Sequence, residues 1–110
     1  MATIPVVTPA LAGAAMTSTN ATAGPDTLAP AGRPVHLIVN NASGGAITVL
    51  VTIPGNTRYG PAEPDVTSAS IGAGLHGVIW LPAEIADPTT GLISVTASSA
   101  TSVSFYAVRA

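Results

Sequence analysis

The sequence predicts an all-β domain, an antiparallel β-sandwich or jelly roll, on three observations. Short runs rich in Val, Ile and Thr alternate apolar with polar residues, as half-buried strands do. Gly and Pro, 11 and 10 of the 110 residues, separate these runs, which recur roughly every 8 to 12 residues. No helical period exceeds one turn, and the best candidate for a helix is the single turn Pro82 to Ala86.

The chain divides into two parts at about residue 33. Residues 1–33 are rich in Pro, Ala and Thr and show no sustained period, which predicts an extended N-terminal arm. Short strands are expected in it around Thr3 to Thr8 and around Ala14 to Thr19. If this arm is ordered, a neighbouring chain or the body of the domain must order it, because it has little core of its own. Residues 34–110 are expected to form the β-sandwich domain.

The body opens with two alternating runs that predict a hairpin. Its first strand buries Val35, Leu37 and Val39, and "NASGG" supplies the turn. Its second strand buries alternate residues from Ile47 to Ile53. A loop from Tyr59 to Asp65 follows and leads into a weaker strand.

Four further strands complete the body. The weaker strand covers Val66 to Ile71, and a glycine hairpin turn, Gly72-Ala73-Gly74, leads into Leu75 to Leu81. The last two strands form a closing hairpin, with apolar positions at Ile93, Val95, Ala97, Val103, Phe105 and Ala107. The body therefore has six predicted strands.

Some apolar residues lie on the strand face opposite to the expected core. A single sandwich cannot bury both sets unless the arm or another subunit covers the outer face, and a contiguous exposed apolar patch marks an interface. The alternative is a bulge that shifts the phase and sends some of these residues into the core. The candidate interface residues are Ile38, Leu50, Val78, Trp80, Tyr106 and Val108.

Charge and composition exclude several partners. Only 7% of the residues are charged and the net charge is -2, whereas a free soluble domain carries about 25% charged residues. Three scattered arginines cannot neutralise a run of phosphates, so no nucleic acid is expected. The longest apolar run is far shorter than the roughly 18 residues of a membrane helix, so no membrane partner is expected. The absence of cysteine excludes disulfides and thiolate metal sites.

No motif predicts a catalytic, cofactor or metal site. The segment "GAGLHG" (72–77) has the glycine spacing of a dinucleotide fingerprint, but strand sequence closed by proline follows it instead of a helix. His36 and His76 are 40 residues apart in the sequence and lack metal-ligand spacing, so each is expected on a polar or interfacial strand face. Tyr59, Trp80 and Tyr106 could instead form a platform on which sugars stack.

The order of the segments from Gly24 to Ala110 resembles that of the small decoration (cement) proteins of tailed-bacteriophage capsids. The likeness is one of segment order and composition. It runs from "GPDTLAPAGRPVHLIVNN" through "AITVLVTIP" and "DVTSASIGAGLHGVIWLPAEI" to "TTGLISVTASSATSVSFYAVRA". Such proteins are compact β-sandwiches that bind the outside of an expanded shell and bridge its subunits, often around threefold axes.

This resemblance implies a non-enzymatic virion structural protein on the capsid exterior, synthesised in the bacterial host cytoplasm. Its expected partners are the major capsid protein and further copies of the chain, for example in a trimer. Two other classes remain open. One is a carbohydrate-binding or adhesin-type β-sandwich that uses Trp80 and the tyrosines, and the other is a tail or connector component of the virion.

Overall fold

The structure, a computed structural model, describes residues 2–55, 59–60 and 65–110. It confirms the all-β class, with 40% strand and 3% helix. The one helical element in the described residues is a 3-10 turn at Ala83–Ile85, capped by Pro82 and Ala86, as predicted. The strands are β1 (Val6–Val7), β2 (Thr19–Asn20), β3 (Asp26–Leu28), β4 (Val35–Asn41), β5 (Val49–Thr52), β6 (Val66–Thr67), β7 (His76–Leu81), β8 (Ile93–Ala97) and β9 (Val103–Arg109).

The strands form two sheets. The five-stranded sheet has the order β1-β9-β4-β7, with β2 also paired to β9, and the four-stranded sheet has the order β3-β8-β5-β6. Alternate residues of both sheets are buried in one hydrophobic cluster, which includes Leu37 of β4, Val49 of β5 and Phe105 of β9. The alternation in the sequence is therefore the alternation of side chains between this core and the outer faces.

The predicted hairpins are wrong. β4 and β9 belong to the five-stranded sheet, whereas β5 and β8 belong to the other, so residues 42–48 and 98–102 cross between the sheets. The glycine turn at 72–74 likewise joins β6 in one sheet to β7 in the other. The physical reason is that a strand buries every second side chain equally well in both cases: when the next strand in the sequence lies beside it in the same sheet, and when that strand lies across the core in the other sheet.

The extended N-terminal arm is not confirmed, because three short strands within residues 2–33 pair with strands of the body. β1 and β2 pair with β9, and β3 pairs with β8. Ile4 and Leu28 are buried in the core. β1 lies within the strand expected around Thr3 to Thr8, β2 begins where the second expected strand ends, and β3 was not predicted. Residues 8–18, by contrast, are exposed throughout.

The two lateral edges of the pair of sheets differ. On one side the N-terminal segment joins the sheets, since Thr3 bridges to Thr27 and the Ile4 amide donates to the Thr27 carbonyl at 2.7 Å. On the other side β7 and β6 are the last strands of their sheets. The two sheets are thus linked beside β1 and β3, and each ends in an edge strand beside β6 and β7.

Candidate interaction surface

The outer face of the five-stranded sheet carries an apolar patch built from three adjacent strands. Ile38 of β4 lies opposite Val78 of β7 on one side and Tyr106 of β9 on the other. Residues paired in this way point to the same face, with Cβ atoms about 4.5 to 5.5 Å apart. Ile38, Val78 and Tyr106 therefore form one continuous row across the sheet.

A second row lies next to the first. His36 is opposite Trp80 on one strand and Val108 on the other. β1 extends this row, because Val7 pairs with Val108. The outer apolar patch is defined here as Ile38, Val78, Trp80, Tyr106 and Val108. Sequence reasoning missed Val7, since no local signal shows that β1 lies beside β9, whereas His36 was expected on a polar or interfacial strand face.

Exposure within the outer apolar patch is greatest at the edge of the sheet. Val78 is 67% and Trp80 59% exposed, whereas Ile38, Tyr106 and Val108 are half-buried by strands on both sides. The next row, Asn40, His76 and Ser104, is polar and bounds the patch. None of the residues in these three rows carries a carboxylate, an ammonium or a guanidinium group, so burying this face would desolvate few charges.

Leu50 does not belong to this surface. It lies on β5, on the outer face of the other sheet, between Thr67 of β6 and Thr96 of β8. That face presents mainly hydroxyl groups, and Leu50 is only 37% exposed. The structure therefore brings five of the six candidate interface residues together and separates the sixth from them.

A second apolar feature is a groove of about 170 Å³ at the β6/β7 side of the molecule. It lies between the two sheets and is lined by apolar side chains and by Pro82, with Trp80 at its junction with the outer apolar patch. We call it the edge groove. Its lining includes Ile53, Val66, Ile79, Trp80, Pro82 and Ile85.

The glycine segment 72–77 forms a turn that leads into a strand, but this turn does not close the predicted hairpin. The Leu75 amide donates to the Gly72 carbonyl at 3.1 Å, and the chain then enters β7. Gly74 has φ +74°, a conformation that favours glycine. A dinucleotide-binding fingerprint needs a helix directly after its glycines. Here the strand β7 follows instead, so the segment does not have the structure of such a site.

The titratable side chains are dispersed over the described residues. His36 and His76 lie on the outer face of the five-stranded sheet, where strand histidines were expected. Asp65 accepts a hydrogen bond from the Ile53 amide at 3.0 Å, and Asp87 one from the Thr89 amide at 2.8 Å. No group of three or more potential metal ligands occurs among the described residues.

The three aromatic residues considered for sugar stacking do not share one surface row. Trp80 and Tyr106 lie on β7 and β9, with β4 between them. Tyr59 lies in the connection between β5 and β6, strands of the other sheet. In the part of the chain that the structure describes, no helix is long and apolar enough to span a membrane.

Comparison of the chain with protein-family models, with curated proteins and with solved structures gives no match.

Proposed function

We propose that this chain is a non-enzymatic structural subunit that binds the outside of a tailed-bacteriophage capsid and stabilises the shell. The observation that carries the proposal is the outer apolar patch, in which Val78 and Trp80 expose most of their surface beside Ile38. Contiguous exposed apolar side chains mark surfaces that bind protein. The low charge content and the resemblance in segment order support the same function.

The fold suits such a role. We infer that the two sheets form a β-sandwich, and the jelly-roll topology and the capsid exterior location remain predictions. A rigid sheet presents the outer apolar patch without first having to order a loop, so less conformational entropy is lost on binding. The proposed protein partners are the major capsid protein and further copies of this chain, with synthesis in the bacterial host cytoplasm.

The mechanism is mass action. A subunit that binds the expanded shell, and not its unassembled components, stabilises the shell by its binding free energy. Many copies multiply the effect. Binding alone produces this stabilisation, so no chemical step is required of the protein.

Two variants test the proposal by sedimentation with expanded capsids from a phage whose gene for this chain is deleted. Trp80→Glu places a charge in the outer apolar patch, whereas Leu50→Glu places the same charge on the hydroxyl-rich face as a matched control. Wild type and Leu50→Glu should co-sediment with the shells, and Trp80→Glu should bind at least tenfold more weakly. Circular dichroism first establishes that both variants fold.

The outcomes separate the functional classes. Electron microscopy should place the wild-type chain on the outside of the shell. Failure of wild type to co-sediment with expanded shells, or its location in the tail or connector, would reject the decoration function. Binding to a glycan array that Trp80→Ala abolishes would favour the carbohydrate-binding class instead, although the separation of the three aromatic residues gives that class less support.

A further inference from the structure

The loop between β1 and β2 is an exposed apolar projection. All of residues 8–18 are exposed, and none of them is charged. The Gly13 amide donates to the Ala10 carbonyl at 2.9 Å, closing a tight turn with Leu11 at its tip. Leu11 is 108% exposed, so its side chain has essentially no contact with the rest of its own chain. We call residues 8–18 the Leu11 loop.

The turn is specified by local sequence. Gly13 has φ +89° at the end of the turn, and its position has open space around it. Pro9, just before the turn, restricts the backbone that leads into it. A large aliphatic side chain held at the tip of a glycine-closed turn suits insertion into an apolar recess, because little entropy is lost when a preformed turn docks.

The same molecule presents an apolar recess on its opposite side. The Leu11 loop leaves the sheet at β1, and the edge groove begins at β7, at the other end of the order β1-β9-β4-β7. Three strand spacings, roughly 14 Å, separate these two strands, with the sheet between them. Leu11, which is fully exposed, does not occupy the edge groove of its own chain, whereas a second copy placed alongside can present its loop there.

We propose that copies of this chain associate side by side, with the Leu11 loop of one copy in the edge groove of the next. Both surfaces are apolar and uncharged, so docking leaves no unpaired charge. The contact is heterologous, so it closes into a ring or continues as a chain, depending on the rotation between copies. The inference goes beyond capsid attachment, because it concerns the free protein and the edge groove, which shares only Trp80 with the outer apolar patch.

Two complementary variants test the proposal in the absence of any shell. Leu11→Asp disables the loop, and Val66→Glu disables the groove at a residue that is already 55% exposed, so folding should be retained. In light scattering coupled to size exclusion, wild type should gain mass with concentration, and each variant alone should stay monomeric. An equimolar mixture should form two-chain particles, because one intact loop and one intact groove remain. Ala42→Asp, in an exposed position outside both surfaces, should behave as wild type.

The absence of cysteine permits a second measurement that also detects weak association. With a short bis-maleimide cross-linker, Leu11→Cys/Val66→Cys should give a ladder of three or more chains, and each single variant at most a dimer. A wild-type chain that stays monomeric, together with a Leu11→Cys/Val66→Cys variant that gives no ladder, would overturn the proposal. If Leu11→Asp associates to the same mass as the wild type, the proposal is overturned too. That result would indicate another contact, such as pairing between the β7 edges of two copies. Neither result depends on whether the chain binds capsids.

Discussion

The fully buried Asp26 carboxylate accepts a hydrogen bond from the Thr22 hydroxyl at 2.6 Å. It also accepts bonds from the Ala2 amide at 2.9 Å and the Thr22 amide at 3.1 Å. These bonds compensate the carboxylate for the water it loses on burial. They also connect the first residues of the chain to β3, so Asp26 helps to explain why the N-terminal segment packs on the body.

We expect Asp26→Ala to lower the free energy of unfolding by about 2–3 kcal/mol, because two amides and a hydroxyl lose a charged acceptor. Asp26→Asn, which keeps one acceptor oxygen, should cost less. Urea denaturation measures both. Asp65→Ala is the matched control, since Asp65 is exposed and its carboxylate accepts a bond from the Ile53 amide, and it should cost less than about 1 kcal/mol. Equal effects at the two aspartates would contradict the anchoring role of Asp26.

A second prediction concerns Asn41, which is fully buried at the end of β4. Its Nδ2 donates to the carbonyls of Gly45, Ile71 and Gly72 at 2.8, 2.9 and 3.2 Å, and its Oδ1 accepts from the Ser43 amide. Asn41→Ala should destabilise the chain by roughly 2–3 kcal/mol.

The pH dependence of an Asn41→Asp variant tests the same amide orientation. This substitution would place a carboxylate against three carbonyl oxygens, which raises the pKa of the introduced group in the folded state. The folded state then binds more protons than the unfolded state, so this variant should gain stability as the pH falls through that pKa, unlike wild type. Urea denaturation at several pH values measures the difference. A pH dependence equal to that of wild type would contradict the assigned amide orientation.

The sequence predicted the body strands well because each has a simple period of two. Val35, Leu37 and Val39 are all buried, and the outward phase of Val78 and Trp80 is equally visible in the pattern. The single helical turn near Pro82 was also predictable, since proline limits the chain on its N-terminal side.

The pairing of the strands was not predictable, for physical reasons. Alternation shows which side chains are buried, but it does not distinguish a neighbour in the same sheet from one in the facing sheet. Leu50 illustrates the consequence for the site: its outward phase equals that of Trp80, yet it lies on the other sheet. The N-terminal strands have two or three residues each, too few to show any period.

The Ile71 side chain packs directly against Gly77, and this contact leads to a third prediction. A Cβ at position 77 would lie 2.5 Å from Cδ1 and 2.8 Å from Cγ1 of Ile71. Gly77→Ala should therefore destabilise the fold by about 1–3 kcal/mol through overpacking. Thermal or urea unfolding measures the loss.

Two further variants isolate that contact. Ile71→Val removes Cδ1, so Gly77→Ala should cost less in the Ile71→Val background than in wild type, a coupling that a double-mutant cycle detects. Gly44→Ala is the matched control, since a Cβ there meets nothing within 4 Å. Additive effects of Gly77→Ala and Ile71→Val would show that the loss arises elsewhere.

The last prediction concerns the salt dependence of capsid attachment. The outer apolar patch and its neighbours His36 and Val7 include no carboxylate, ammonium or guanidinium group, so the contact should be screened little by added ions. Attachment of the wild type should change less than about threefold between roughly 0.05 and 0.5 M NaCl.

Arg33→Gln, which alters an exposed cation outside the patch, should attach as wild type does, whereas Val78→Glu should attach poorly at both salt concentrations. Co-sedimentation at the two salt concentrations measures all three proteins. Loss of wild-type attachment at high salt, together with weak binding by Arg33→Gln, would mean that a few charges hold the subunit to its partner.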